Sequence, residues 1–220
     1  VMLDRHLDRL RRGARALDID APDDDTLRLI AEHLDAAELP DGRSFAVKLM
    51  VSSANVIVTH RPNPYADWAQ DRGLRLGWCR AWRNECSPLT AHKTLNQGDN
   101  ILESRSARRL GFDSAVYLNT RGDICETTNA NLFFVRDGRL YTPDGDAGWL
   151  PGTVRAGLCE RYEAEQGTFR QDSLDSWMGL RHQRLMGVRP VVELGDAGDG
   201  IGPVTRAIQR EYRRLELGIL

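Results

Sequence analysis

Two β-rich runs, 131–136 and 140–142, are separated by little more than Asp137-Gly138. Such a dipeptide between strands is a strong short-range hairpin signal, because the favoured two-residue turn needs positive φ at both positions and Asp and Gly tolerate it. The ends of the chain read as helices. Leu3, Leu7, Leu10, Ala14 and Leu17 recur at helical spacing among Arg and Asp, and Pro203 opens a last helix with Val204, Ile208, Tyr212 and Leu215 inward. A fixed antiparallel pair between amphipathic helices confines the chain to a mixed α/β (α+β) architecture.

The remaining elements follow from the same rules. Asp25-Thr26 caps a second helix carrying Leu27, Ile30 and Leu34 on one face. Runs 45–51 and 55–59 are close enough to pair as a hairpin, the two prolines of 61–65 mark a turn, and 74–78 is a third strand. A helix over 99–110 ends at Gly111, strands follow at 114–119 and 188–194, and Val154, Leu158 and Tyr162 predict a helix from the Gly152-Thr153 turn to Gly167. The stretch 83–88 reads as a passage between a small α/β domain, 1–84, and a larger one, 85–220.

Composition narrows the partners. With 30 Lys+Arg against 32 Asp+Glu the formal charge is -2, which gives no electrostatic reason to expect nucleic acid. No apolar run approaches membrane-spanning length, and the first residues read as a charged helix rather than a signal peptide, so a cytoplasmic protein is expected. The four cysteines lack C-x-x-C pairing and the five histidines lack metal-ligand spacing. Reduced thiols and no protein-bound metal are the expectation.

Three segments carry chemistry. Lys93 lies in Ser87-Pro88-Leu89-Thr90-Ala91-His92-Lys93-Thr94-Leu95-Asn96, which suits a half-buried strand end. A lysine that attacks a carbonyl must be desolvated or near other cations, so that its amine is neutral often enough. Glu126 sits in Glu126-Thr127-Thr128-Asn129-Ala130-Asn131-Leu132-Phe133. Gly152-Thr153-Val154 precedes a helix and offers backbone N–H groups and the positive end of a dipole to a phosphate. Singly, each has a plainer reading: a surface lysine, a turn glutamate, an ordinary helix start, and for Arg9 a solvated arginine. Together they are the parts that a lysine-bound aldehyde cofactor with a ring nitrogen and a phosphate needs, which points to pyridoxal 5'-phosphate (PLP).

The order of these pieces resembles the class IV aminotransferase family, the fold-type IV PLP enzymes that include branched-chain and D-amino-acid aminotransferases and 4-amino-4-deoxychorismate lyase. Leu7-Asp8-Arg9-Leu10 is similar to its first-helix motif, His92 to Asn96 to its Schiff-base segment, and Glu126 to Phe133 to its E-x-x-x-x-N-(L/V)-F block. Thr142-Pro143, the segments 150–155 and 187–191, and Gly202-Pro203-Val204-Thr205 fall where the family has similar text.

The resemblance implies a fold-type IV enzyme and assigns Lys93 as the catalytic lysine that holds PLP and shuttles the substrate proton. It assigns Glu126 to the ring nitrogen, and Arg9 with the amides of Thr153 and Val154 to the phosphate. It also implies a homodimer acting on an amino acid and a 2-oxo acid. An aminotransferase for a small, branched-chain-like amino acid is the leading expectation, with 4-amino-4-deoxychorismate lyase or a truncated, non-catalytic relative as alternatives. Departures from the family pattern are the missing opening strands, the short connection 52–54, Gln97 where many relatives have an aromatic or other residue, and Val154 in place of a more usual Thr. Gln183-Arg184 replaces a small or hydroxylated pair, and Arg184 is a candidate anion ligand.

Overall fold

A computed structural model describes residues 2–36, 44–69, 72–176, 178–183, 187–195, 197–198 and 200–216. The chain divides into two compact units, Met2–Trp68 and Ala69–Leu220. The smaller unit holds α1 (Leu3–Ala16), α2 (Asp24–Asp35) and a two-stranded antiparallel sheet of β1 (Phe45–Val51) and β2 (Val56–Pro62). Asp23, rather than Asp25, caps α2: its carboxylate accepts the Thr26 N–H at 2.8 Å, a contact worth about 1 kcal/mol. In the β1–β2 turn, Ser52 Oγ accepts the N–H groups of Ala54 and Asn55. β2 runs further than expected, through Pro62, which pairs with Phe45.

The larger unit contains β3 (Leu74–Trp78), α3 (Gly98–Arg109), β4 (Ser114–Leu118), β5 (Ile124–Thr127), β6 (Asn131–Arg136) and β7 (Arg139–Pro143). It continues with α4 (Thr153–Tyr162), β8 (Glu165–Gly167), β9 (Met178–Gln183), β10 (Gly187–Leu194), β11 (Ala197–Gly198) and α5 (Pro203–Glu216). Among the described residues its sheet has nine strands in the order β5-β4-β3-β10-β9-β6-β7-β8, with β11 beside β10. β10 is the seam. Its first half pairs antiparallel with β9 and its second half parallel with β3.

That seam moves the division between units. A boundary at residue 84 would strand β3 in the smaller unit, but β3 lies between β10 and β4, so the division falls before it. The helix expected to reach Gly167 stops at Tyr162, because Glu163 turns left-handed at φ 47° and residues 165–167 pair parallel with β7. The β6–β7 hairpin forms with Asp137 at φ 50° and Gly138 at φ 77°, the doubly positive turn that matches strand twist.

One core cluster fixes α4. Phe133, Val135 and Leu140 of the hairpin pack with Val154 and Leu158 of α4, Val188 of β10, and Ile208 and Tyr212 of α5. Each such side chain contributes about 1.5–3 kcal/mol on burial, so the first turn of α4 is anchored to the strands that follow Glu126. Among the described residues no helix is long and apolar enough to cross a membrane.

Candidate active site

Glu126 sits on β5, a strand buried at every position, and is itself only 7% exposed. Burying a carboxylate is costly unless it is paired and hydrogen-bonded, and this one is both. Arg83 Nη2 donates to its Oε1 at 3.0 Å, Asn131 Nδ2 donates to its Oε2 at 3.1 Å, and the Leu150 backbone adds a further bond. Burial nevertheless outweighs the cations Arg83, Lys93 and Arg155 and pushes the carboxyl up to about 7.

Arg83 reaches the acid from the segment that follows β3. Its N–H bonds Leu118 O at 2.8 Å, and its guanidinium lies over the Tyr117 ring at 4.2 Å. Glu103 of α3 accepts the N–H groups of Arg80 and Ala81, each at 3.0 Å, and so fixes the turn that delivers Arg83.

Asn131 joins the acid to the start of α4. The same Nδ2 that serves Glu126 also donates to Leu150 O at 2.9 Å, and a Cβ placed on Gly152 would collide with Asn131 Oδ1. Gly152 is the N-cap of α4 and supplies no side-chain cap; Thr153 and Val154, the first helical residues, are both buried. Arg155 stacks over Trp149 at 3.6 Å and donates to Pro143 O and Gln166 Oε1. It stands as a buried cation near Glu126.

Lys93 is placed differently from the expectation of a half-buried strand end. Pro88 opens a 3-10 turn over Pro88–Ala91, His92 is extended, and the chain reaches α3 without joining a sheet, so Lys93 is exposed. Its charge still acts on Glu126. Lys93, Glu126 and the α4 start therefore belong to one unit; the Lys93 charge acts on the carboxyl, and Asn131 joins the carboxyl to the approach to α4. Arg9 lies on α1 in the smaller unit, with Nη2 3.3 Å from His6 Nδ1, and its assignment is carried by the resemblance alone. Arg184 lies outside the described residues.

Two residues that hold the acid lie outside the site expected from sequence. Asn131 is the second fixed letter of the Glu126 block, and its place five residues after the acid is the sequence signal that marks it. Arg83 had no local signal. It arrives through an isolated parallel bridge to Asn119, which spacing does not reveal.

Residues 1–176 match the family model described as amino-transferase class IV. Aminodeoxychorismate lyase of Vibrio harveyi is 31% identical over 159 residues, covering 67% of this chain and 58% of that protein. The branched-chain-amino-acid aminotransferase of Salmonella typhimurium is 30% identical over 164 residues, covering 68% and 52%. The crystal structure of a branched-chain aminotransferase from Thermoproteus uzoniensis with norvaline matches 98% of this chain and 79% of its own at a TM-score of 0.81; at 22% identity this is a likeness of fold. The matches to the two curated relatives span little more than half their length. Since the amine, the buried acid and the glycine-opened helix all fall inside the matched segment, in the order the motifs require, the chain belongs to the class IV aminotransferase family.

Proposed function

We propose that this protein is a PLP-dependent aminotransferase that moves an amino group between a small, branched-chain-like amino acid and a 2-oxo acid, working as a cytoplasmic homodimer. The observation that carries the reading is the Glu126 carboxyl, buried, gripped by Arg83 and Asn131, and felt by the Lys93 charge. The donor set suits the cofactor: an amine for an aldehyde, a buried acid for a ring nitrogen, and helix N–H groups for a phosphate.

When bound, PLP supplies an electron sink that acidifies the α-carbon of an amino acid. Lys93 would hold its aldehyde carbon until the amine of the amino acid displaces it, and the freed Lys93 Nζ would carry the α-proton to that former aldehyde carbon. The reaction relies on the local concentration created when acid and helix hold the ring beside the exposed Lys93. Glu126 would keep the ring nitrogen protonated, with Arg83 limiting how far its carboxyl rises. Thr153 and Val154 N–H groups, with the α4 dipole, would bind the phosphate.

The protein is mixed with PLP and the violet-edge absorbance band is followed on adding branched-chain amino acid and then 2-oxoglutarate. The expected result is a band that bleaches with the amino acid and glutamate that appears with the oxo acid. Glu126→Ala keeps the band and loses most turnover; full turnover in that variant would remove Glu126 from its role. A lyase reading is favoured by the identity to the Vibrio harveyi protein. Pyruvate release from aminodeoxychorismate without 2-oxoglutarate-dependent transamination would replace the lead with it.

A further inference from the structure

A line of side-chain amides runs from the buried ion pair to the lysine segment. Arg83 Nη2, already bonded to Glu126, also donates to Asn100 Oδ1 at 3.4 Å. Asn100 Nδ2 donates to Gln97 Oε1 at 2.9 Å, and Gln97 Nε2 donates to Thr94 O at 3.1 Å, on the residue that follows Lys93. The donors all point the same way, so the Arg83 charge polarises each amide in turn and strengthens the next bond. Gln97 is the N-cap of α3, but its side chain caps no backbone N–H of the helix. Its side chain turns back toward Thr94 and is half-buried, in a stretch that no strand pairing holds.

We propose that Gln97 is a positioning residue: through Asn100 it ties the backbone just past Lys93 to the Arg83–Glu126 pair and so fixes where the lysine amine stands relative to the carboxyl. The functional meaning rests on the reading of Lys93 and Glu126 given above, but the tie itself is independent of any cofactor. The charged groups acting on Glu126 are Arg83, Lys93 and Arg155, of which only Lys93 lies on the tied segment. Loosening the tie therefore weakens one cation's hold on the acid and leaves the other two in place.

The test follows the Glu126 titration by carbon NMR of glutamate-labelled protein, assigned with Glu126→Gln, without PLP. Gln97→Met keeps the volume of the side chain and removes its hydrogen bonds, and Gln97→Ala is the second variant should methionine disturb folding. The expected result is an upward move of the Glu126 midpoint by roughly 0.5 pH unit, a fraction of the 1–3 units an opposite charge at close range supplies. In a Lys93→Ala background the same substitution should move nothing, since the cation it positions is gone. An unmoved midpoint, or a move of equal size with Lys93 absent, would overturn the proposal. Absence of a violet band with PLP in the unaltered protein would instead sink the aminotransferase reading and leave the midpoint result standing.

Discussion

Glu126 and Lys93 bear on each other through charge, yet the chain holds them by opposite means. The acid sits on a paired, buried strand and is bonded by Arg83, Asn131 and the Leu150 backbone. The lysine sits between a 3-10 turn and a helix, outside any strand and exposed. The protonation of the acid is thus set by folding, whereas the usefulness of the amine is set by what is brought to it. Changes around the acid should therefore alter stability and chemistry together, and changes to the lysine should alter chemistry far more than stability.

Lys93→Ala is the largest break available. It should abolish the violet band and all amine transfer, yet leave the unfolding free energy within about 0.5 kcal/mol, as for an exposed side chain with no core role. A large loss of stability in urea unfolding would mean that the lysine is held as firmly as the acid, and the contrast would fail.

The acid is tested through pH. Because the folded carboxyl is raised from 4.5 to about 7, it binds its proton more tightly in the native state. Its contribution to stability is whole below about pH 4.5 and lost as pH rises through about 7. At about 1.4 kcal/mol per pH unit the loss is on the order of 3 kcal/mol. Glu126→Gln cannot ionise and should flatten this part of the profile. If unfolding free energies of the two proteins run parallel between pH 5 and 7, the acid is not perturbed and the fold does not set its state.

What the sequence made legible follows the same contrast. The Asp137-Gly138 hairpin, the leucine spacing of α1 and Pro203 at the start of α5 are self-sufficient local signals, and the structure has those elements there. Lys93, Glu126 and the α4 start could be singled out by the order of motifs, while their surroundings could not. Arg83 meets Glu126 only because a bridge to Asn119 brings distant segments together. Residues 165–167, Glu-Gln-Gly, carry no strand propensity and are extended because β7 offers an edge. The placement of β3 in the larger unit depends on β10, far along the chain.

Gly152→Ala sharpens the contrast at the smallest scale. Gly152 has φ -75° and ψ 137°, a conformation that any residue adopts, so backbone strain plays no part. The effect comes from the added methyl, which would collide with Asn131 Oδ1 and force that amide away. Its donations to Glu126 Oε2 at 3.1 Å and Leu150 O at 2.9 Å would be lost with it. A bond to an ionisable buried group and a neutral one together suggest a loss of about 2 kcal/mol, with the carboxyl rising further as a donor leaves. In an Asn131→Ala background the methyl has nothing left to displace, so Gly152→Ala should then cost under about 1 kcal/mol, the ordinary difference between the two residues at an N-cap. Equal costs in both backgrounds, read from urea midpoints, would mean that Asn131 does not join the acid to the helix start, and the acid would be no more built into the fold than the lysine is.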